Sequence, residues 1–123
     1  MSELVLIGDV AKVVKNSNSR PVTLYRDGDN SGDANLNELG SAYTVPTDKI
    51  LLITDIGLFS GNAGSYIHCT LKDSSNTHQY YVINKDQQMV IKCSDIFTAG
   101  TTPVFNANNN GLTCVVRGVE YNA

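Results

Sequence analysis

Tryptophan is absent from this chain of 123 residues, cysteine occurs three times, and charged side chains make up only 17%. Each scarcity removes a class of protein. The nine lysines and arginines are scattered along a chain of net charge −3, which argues against a surface that tracks a phosphate backbone. No unbroken apolar run exceeds the length of Ile50–Ile53, far below the roughly 18–20 residues that a membrane-spanning helix requires. The stretch Met1–Asp9 carries an acidic residue where a signal peptide is basic, and its apolar segment is short. Synthesis in a cytosol without a leader is therefore expected. Cys69, Cys93 and Cys114 form an odd set with no C-x-x-C spacing, and neither His68 nor His78 is placed to complete a metal site with them. They read as reduced, buried, small hydrophobes.

Helical periodicity is missing as well; what is present is two-residue alternation. Val22 and Leu24, Ile67, Cys69 and Leu71, and Met89, Ile91 and Cys93 each alternate with more polar neighbours. So do Leu112, Cys114 and Val116, while Tyr80 and Val82 alternate with Gln79, Tyr81 and Ile83. The separators at Ser60–Gly64, Asp73–Thr77, Asn84–Asp86 and Asn106–Gly111 are rich in turn formers. Short strands at this spacing predict an all-β fold: an antiparallel two-sheet β-sandwich, jelly-roll-like, over residues 21–123. Residues 1–20 read as a partly extended N-terminal arm or an edge strand.

One strand departs from simple alternation. Between Ile50 and Phe59, strict alternation puts Ile50, Leu52, Ile56 and Leu58 on one face and Leu51, Ile53 and Phe59 on the other. A strand apolar on both faces is either central between layers or packed against another subunit. Leu51, Ile53 and Phe59 are accordingly the candidate residues for an oligomer interface or the core.

The sharpest local motif is Asp27-Gly-Asp-Asn-Ser-Gly-Asp-Ala-Asn-Leu-Asn-Glu38. On a calcium-loop template it supplies Asp27, Asp29, Ser31, Asp33 and Glu38 as oxygen ligands, with Gly32 at the sharp turn. The loop follows a β-prone segment rather than a helix, and Ala34 stands where a branched apolar residue is usual. A solvated loop with a helical turn over Leu36–Leu39 is the simpler expectation. Calcium is the only cofactor the sequence suggests. Ser74, His78 and Asp73 contain the residue types of a hydrolytic triad, but there is no nucleophile elbow and no catalytic site is expected. Tyr66, Tyr80 and Tyr81 are the residues on which sugar rings would stack in a lectin-like or tail-tip module. Strand tyrosines are also common for their β-propensity alone.

The segment Tyr43-Thr-Val-Pro-Thr-Asp-Lys-Ile-Leu-Leu-Ile-Thr-Asp-Ile56 resembles a V-P-x-x-K turn and I-T-D-I strand recurrent in small virion proteins of tailed phages. Phe97-Thr-Ala-Gly100 and Val115-Val-Arg-Gly118 resemble the same proteins' F-x-A-G turn and a final strand closing with glycine. The resemblance covers about the last eighty residues and departs at Thr47-Asp48, where those proteins often have glycine. It implies a β-sandwich in a tailed-phage particle, either on the capsid surface or in a tail appendage; the role expected from it is a non-enzymatic capsid cement (decoration) protein, a homotrimer that clamps neighbouring copies of a major capsid protein. In that role Leu4, Leu6, Val10 and Val13 would supply the capsid contact. Nucleic acid and membrane are not expected partners.

Overall fold

A computed structural model describes residues 19–26, 31–61 and 66–123. Ten strands account for the regular structure among them: β1 (Arg20–Arg26), β2 (Gly32–Asn35), β3 (Asn37–Glu38), β4 (Ser41–Ala42), β5 (Lys49–Ser60), β6 (Ile67–Lys72), β7 (Thr77–Ile83), β8 (Gln88–Phe97), β9 (Val104–Ala107) and β10 (Leu112–Asn122). They form a six-stranded sheet in the order β4-β3-β1-β10-β5-β8 and a four-stranded sheet in the order β2-β9-β6-β7. All pairings are antiparallel, and the main ones nest: β1 with β10, β2 with β9, β5 with β8, and β6 with β7. A long hairpin folded over on itself in this way is a jelly roll. The all-β sandwich read from the alternation is the observed fold. The proposed N-terminal arm lies outside the described residues.

The inward phase of the strands builds one core. Val22 and Leu24, Ile67, Cys69 and Leu71, Phe105 and Ala107, and Leu112, Cys114 and Val116 are all buried. Met89, Ile91 and Cys93 pack against this core only partly buried, so Cys93 is less enclosed than the sequence suggests; all three cysteines are free. On β7 the inward phase is Tyr81 and Ile83, leaving Tyr80 and Val82 in solvent.

Three local readings change. The expected helical turn over Leu36–Leu39 is a tight hairpin instead. Leu36 is fully buried and crosses between the sheets, and the β3–β4 turn takes positive φ at Leu39 (52°) and Gly40 (89°), the geometry that a two-residue hairpin demands. The second change concerns β5. Its register against β10 slips between Ile53 and Asp55, because Thr54 is an extra residue that bulges out of that ladder; on the other side, Cys93 and Ser94 of β8 together stand opposite Thr54, so there the extra residue belongs to β8. The bulge restores phase: Leu51, Ile53, Ile56 and Leu58 all join the core, while Leu52, Gly57 and Phe59 fall on the other face, where Leu52 is itself only 8% exposed. Strict alternation had divided these residues differently, since it cannot anticipate an inserted residue. Third, Gly118 does not close the final strand. It lies opposite the bulge in the middle of β10, which continues to Asn122.

The turns that carried the resemblance are structurally one unit. Lys49 N–H donates to Pro46 O (3.0 Å), closing the V-P turn, and Thr101 N–H donates to Thr98 O (3.1 Å), closing the F-T-A-G turn. Val45 N–H donates to Thr101 O (2.9 Å), Gly100 N–H donates to Val45 O (2.8 Å), and the Thr44 and Thr102 hydroxyls pair at 2.7 Å.

Candidate functional site

The outward face of the six-stranded sheet follows from the register. One row across β1, β10, β5 and β8 reads Tyr25, Val115, Gly57, Val90. The next reads Thr23, Arg117, Asp55, Lys92, and the one after it Pro21, Val119, Leu52, Ile96. Two apolar rows therefore flank a charged one. Val90 is 69% exposed, Ile96 48% and Phe59 38%, all on strands whose other face is core. The Phe59 ring lies over Gly57, where an added Cβ would meet it at 3.2 Å. Asp55, Gly57, Phe59, Val90, Val115 and Arg117 line a shallow open hollow. Lys92 Nζ holds Asp55 Oδ2 at 3.3 Å, so the acid of the charged row is already neutralised. This face, and not Leu51 or Ile53, offers apolar surface to a partner. Of the three interface-or-core candidates, Leu51 and Ile53 are core residues and Phe59 belongs to the outward face.

The calcium-loop residues separate. Asp27 and Asp29 lie outside the described residues, Ser31 precedes β2, and Asp33 sits on β2 in the four-stranded sheet, whereas Glu38 sits on β3 in the other sheet. Asp33 accepts from Asn106 Nδ2 (2.6 Å) and pairs with Lys72 Nζ (3.1 Å), and those bonds hold its carboxyl below the usual range. Glu38 accepts from Arg20 Nη1 at 2.7 Å. Extended chain sends successive side chains to opposite faces and cannot wrap them around one cation. Among the described residues no cluster of three His, Cys, Asp or Glu side chains is disposed to hold a metal. Ten millimolar chelator is expected to leave the melting temperature unchanged within about 1 °C by differential scanning calorimetry, since ligand-linked stability appears only where a ligand binds the folded state.

A second charged group, at the start of β1, was missed in the sequence because its members are far apart. Arg20 bridges Glu38 and Glu120 (Nη2 to Oε2, 3.0 Å), and the Tyr43 hydroxyl donates to Glu120 Oε2 at 2.6 Å. Burial opposes ionisation of Glu120, but the Arg20 and Tyr43 hydrogen bonds outweigh it and hold the carboxyl below its ordinary value. Burial and the same hydrogen bond push the Tyr43 phenol well up. The cluster ties β1, β3 and β10 together and is structural.

The tyrosines do not form one strip. Tyr66 and Tyr80 are exposed, Tyr80 beside the His68 ring with its hydroxyl hydrogen-bonded to His68 Nδ1, whereas Tyr81 points inward and donates to Gln79 Oε1 (2.9 Å). The imagined triad fails on geometry. His78 Nε2 lies 2.9 Å from Asp73 Oδ2 and Nδ1 lies 2.8 Å from Asp95 Oδ1, leaving no ring nitrogen to draw a proton from Ser74. Among the described residues no helix is long and apolar enough to cross a membrane.

These features define a class: a jelly-roll β-sandwich with internally paired charged clusters and, among the described residues, a striped outer face on its larger sheet. No family model matches the chain, and no curated protein matches its sequence. Solved structures do share its fold. A chain of the acid-stable capsid structure of Helicobacter pylori bacteriophage KHP30 superposes with a TM-score of 0.55 at 15% identity, covering 86% of this chain and 89% of that one. The globular domain of zebrafish complement 1qA superposes with a TM-score of 0.51 at 13% identity, covering 80% and 94%. A chain of the cyanophage Pam1 capsid asymmetric unit gives 0.49 at 12% identity, covering 88% and 87%.

Proposed function

We propose that the protein is a non-enzymatic structural subunit of a phage particle, a capsid cement protein that docks on the assembled shell as a homotrimer. The likeness to a phage capsid chain supports the structural class, although the complement domain shows that this fold also serves elsewhere. The observation that carries the reading is the striped outer face of the six-stranded sheet. Apolar rows through Val90 and Ile96 sit on both sides of the Arg117–Asp55–Lys92 row, a pattern suited to packing against protein while the charges fix register. In this reading Phe59, Val90 and Tyr25 pack against a neighbouring copy. Leu4, Leu6, Val10 and Val13 lie on the major capsid protein. Docking that requires the assembled lattice stabilises it by mass action.

The test has two parts. Immunogold labelling of virions purified from the source of this sequence is expected to decorate the shell; labelling confined to the tail, or absent, would overturn the capsid assignment. Light scattering is expected to give about three times the 13.3 kDa chain mass, falling to one chain mass in Val90→Asp with an unchanged far-ultraviolet spectrum. A wild-type monomer, or a Val90→Asp trimer, would remove the homotrimer or this face from the account.

A further inference from the structure

The surroundings of His78 carry a second inference, independent of any assembly role. Strands β7 and β8 are consecutive in the chain but lie in different sheets, each at the edge of its own. They share no backbone ladder, so one side of the sandwich is open and is bridged by the turn after Ile83 and by side chains. His78 stands near the far end of β7 from that turn. Its ring stacks on Phe97 with centroids 4.1 Å apart and planes 13° from parallel. One ring nitrogen meets Asp73, in the turn before β7, and the other meets Asp95 on β8.

A carboxylate only accepts hydrogen bonds, and a neutral imidazole has a single N–H. Two carboxylates facing the two nitrogens at 2.9 and 2.8 Å can both be satisfied only by the imidazolium. Without its proton, one nitrogen lone pair would point at an anionic oxygen. The acids have other partners to keep. Asp73 Oδ1 accepts the Ser75 and Asn76 backbone N–H groups (both 2.7 Å), and Asp95 Oδ2 accepts from Gln79 Nε2 (3.1 Å). Neither can simply turn away to relieve the clash.

We propose that His78 is a proton-operated latch: charged, it bolts the start of β7 and the turn before it to β8 across the open edge, and on losing its proton it loosens that end of β7 from β8 while β6 stays in its ladder with β9. Among the described residues the charged groups acting on the ring are Asp73, from its own hairpin, and Asp95, from the strand packed against it. Tyr81 and Cys93 stand near Asp95, and burial pushes both of their pKa values up, so neither is charged at neutral pH. Burial opposes charge on His78, but the hydrogen bonds to Asp73 and Asp95 outweigh it and hold its pKa above the ordinary 6.5. A group whose folded pKa is raised stabilises fully below its unfolded value and loses that contribution as pH rises through the folded value. Asp73, held down at about 2 by His78 and the two amides, keeps its part until pH falls from 3.8 through that value. The latch is therefore closed in mild acid and opens on the alkaline side.

Long-range ¹H–¹⁵N correlation spectra of the intact wild-type protein test this directly. At pH 6 both His78 nitrogens are expected to carry protons, with a titration midpoint above 6.5. Hydrogen-exchange protection at Thr77–Gln79 and Ser94–Ile96 is expected to fall about tenfold for each unit by which that midpoint exceeds the ordinary value, while Leu112–Val116 stays unchanged. In Asp95→Asn the midpoint should drop, and in His78→Gln the pH dependence of protection at both edges should vanish. A neutral His78 at pH 6, or protection at both edges that is flat across its midpoint in the wild type, would overturn the latch.

Discussion

Leu51→Asp is expected to leave the protomer unfolded, seen as loss of the β-type circular dichroism and of any cooperative melting transition. The reason lies in its row. Leu51 is 1% exposed and faces the core between Glu120 on β10 and Phe97 on β8. An aspartate there places a second carboxylate beside a buried one whose hydrogen bonds already come from Arg20 and Tyr43. An unpaired buried charge costs several kcal/mol even after relaxation, and loss of the leucine packing adds about 2–5 kcal/mol. Together they match the roughly 5–15 kcal/mol by which a domain is stable. The milder Leu51→Ala should fold, with its urea midpoint lowered by the packing loss alone. A folded Leu51→Asp would mean that β5 is not a core strand. The contrast with Val90→Asp separates fold from assembly, because Val90 is 69% exposed on the outward face, away from the core.

Gly118→Ala should be strongly damaging, with the tightest clash of any glycine among the described residues. A Cβ at this position would lie 2.4 Å from Leu52 O and 3.2 Å from Ile53 Cα. Both are backbone atoms of the neighbouring central strand and have no rotamer by which to yield. The approach is close because Thr54 bulges from β5 at this level, with its hydroxyl reaching Arg117 O at 3.3 Å. Overpacking at a rigid site costs about 1–3 kcal/mol, here toward the upper end, which for a domain of this size lowers the melting temperature by about 10 °C. Calorimetry decides it. A change within about 2 °C would show that β5 and β10 shift apart freely at the bulge.

This pair of residues also shows where sequence reasoning succeeds and stops. The strands around Ile67, Cys69 and Leu71, or Leu112, Cys114 and Val116, are legible because a half-buried strand must alternate, and one period fixes both its type and its buried face. Ile50–Phe59 is legible as a strand but not in its phase, since one inserted residue exchanges the two faces beyond it. The clue was present on the partner: a glycine inside an otherwise β-branched run marks a bulge or a close backbone approach more often than a strand end. The His78 and Arg20 clusters carried no such clue. Asp95 is 17 residues from His78, and Glu120 is 100 from Arg20, so only the register of distant strands brings them together. The acidic run ending at Glu38 is a different case. Oxygen-bearing residues at alternate positions suit a cation only on a curled backbone, and here the described part of the run is extended and divided between two sheets.

The nested pairing of strands also constrains the order in which the chain acquires its shape. β10 lies between β1 and β5, so the central ladder of the larger sheet cannot close until its last strand exists. A ribosome adding roughly 5–20 residues per second emits β1 several seconds before β10, and non-local sheets of this kind close slowly even afterwards. The β6–β7 hairpin, joined by a short turn and held by the Asp73 side chain, can form on its own schedule. Leu51, Ile53, Ile56 and Leu58 must meanwhile wait for β10, and that interval is when a nascent subunit is most exposed to mispairing with its siblings.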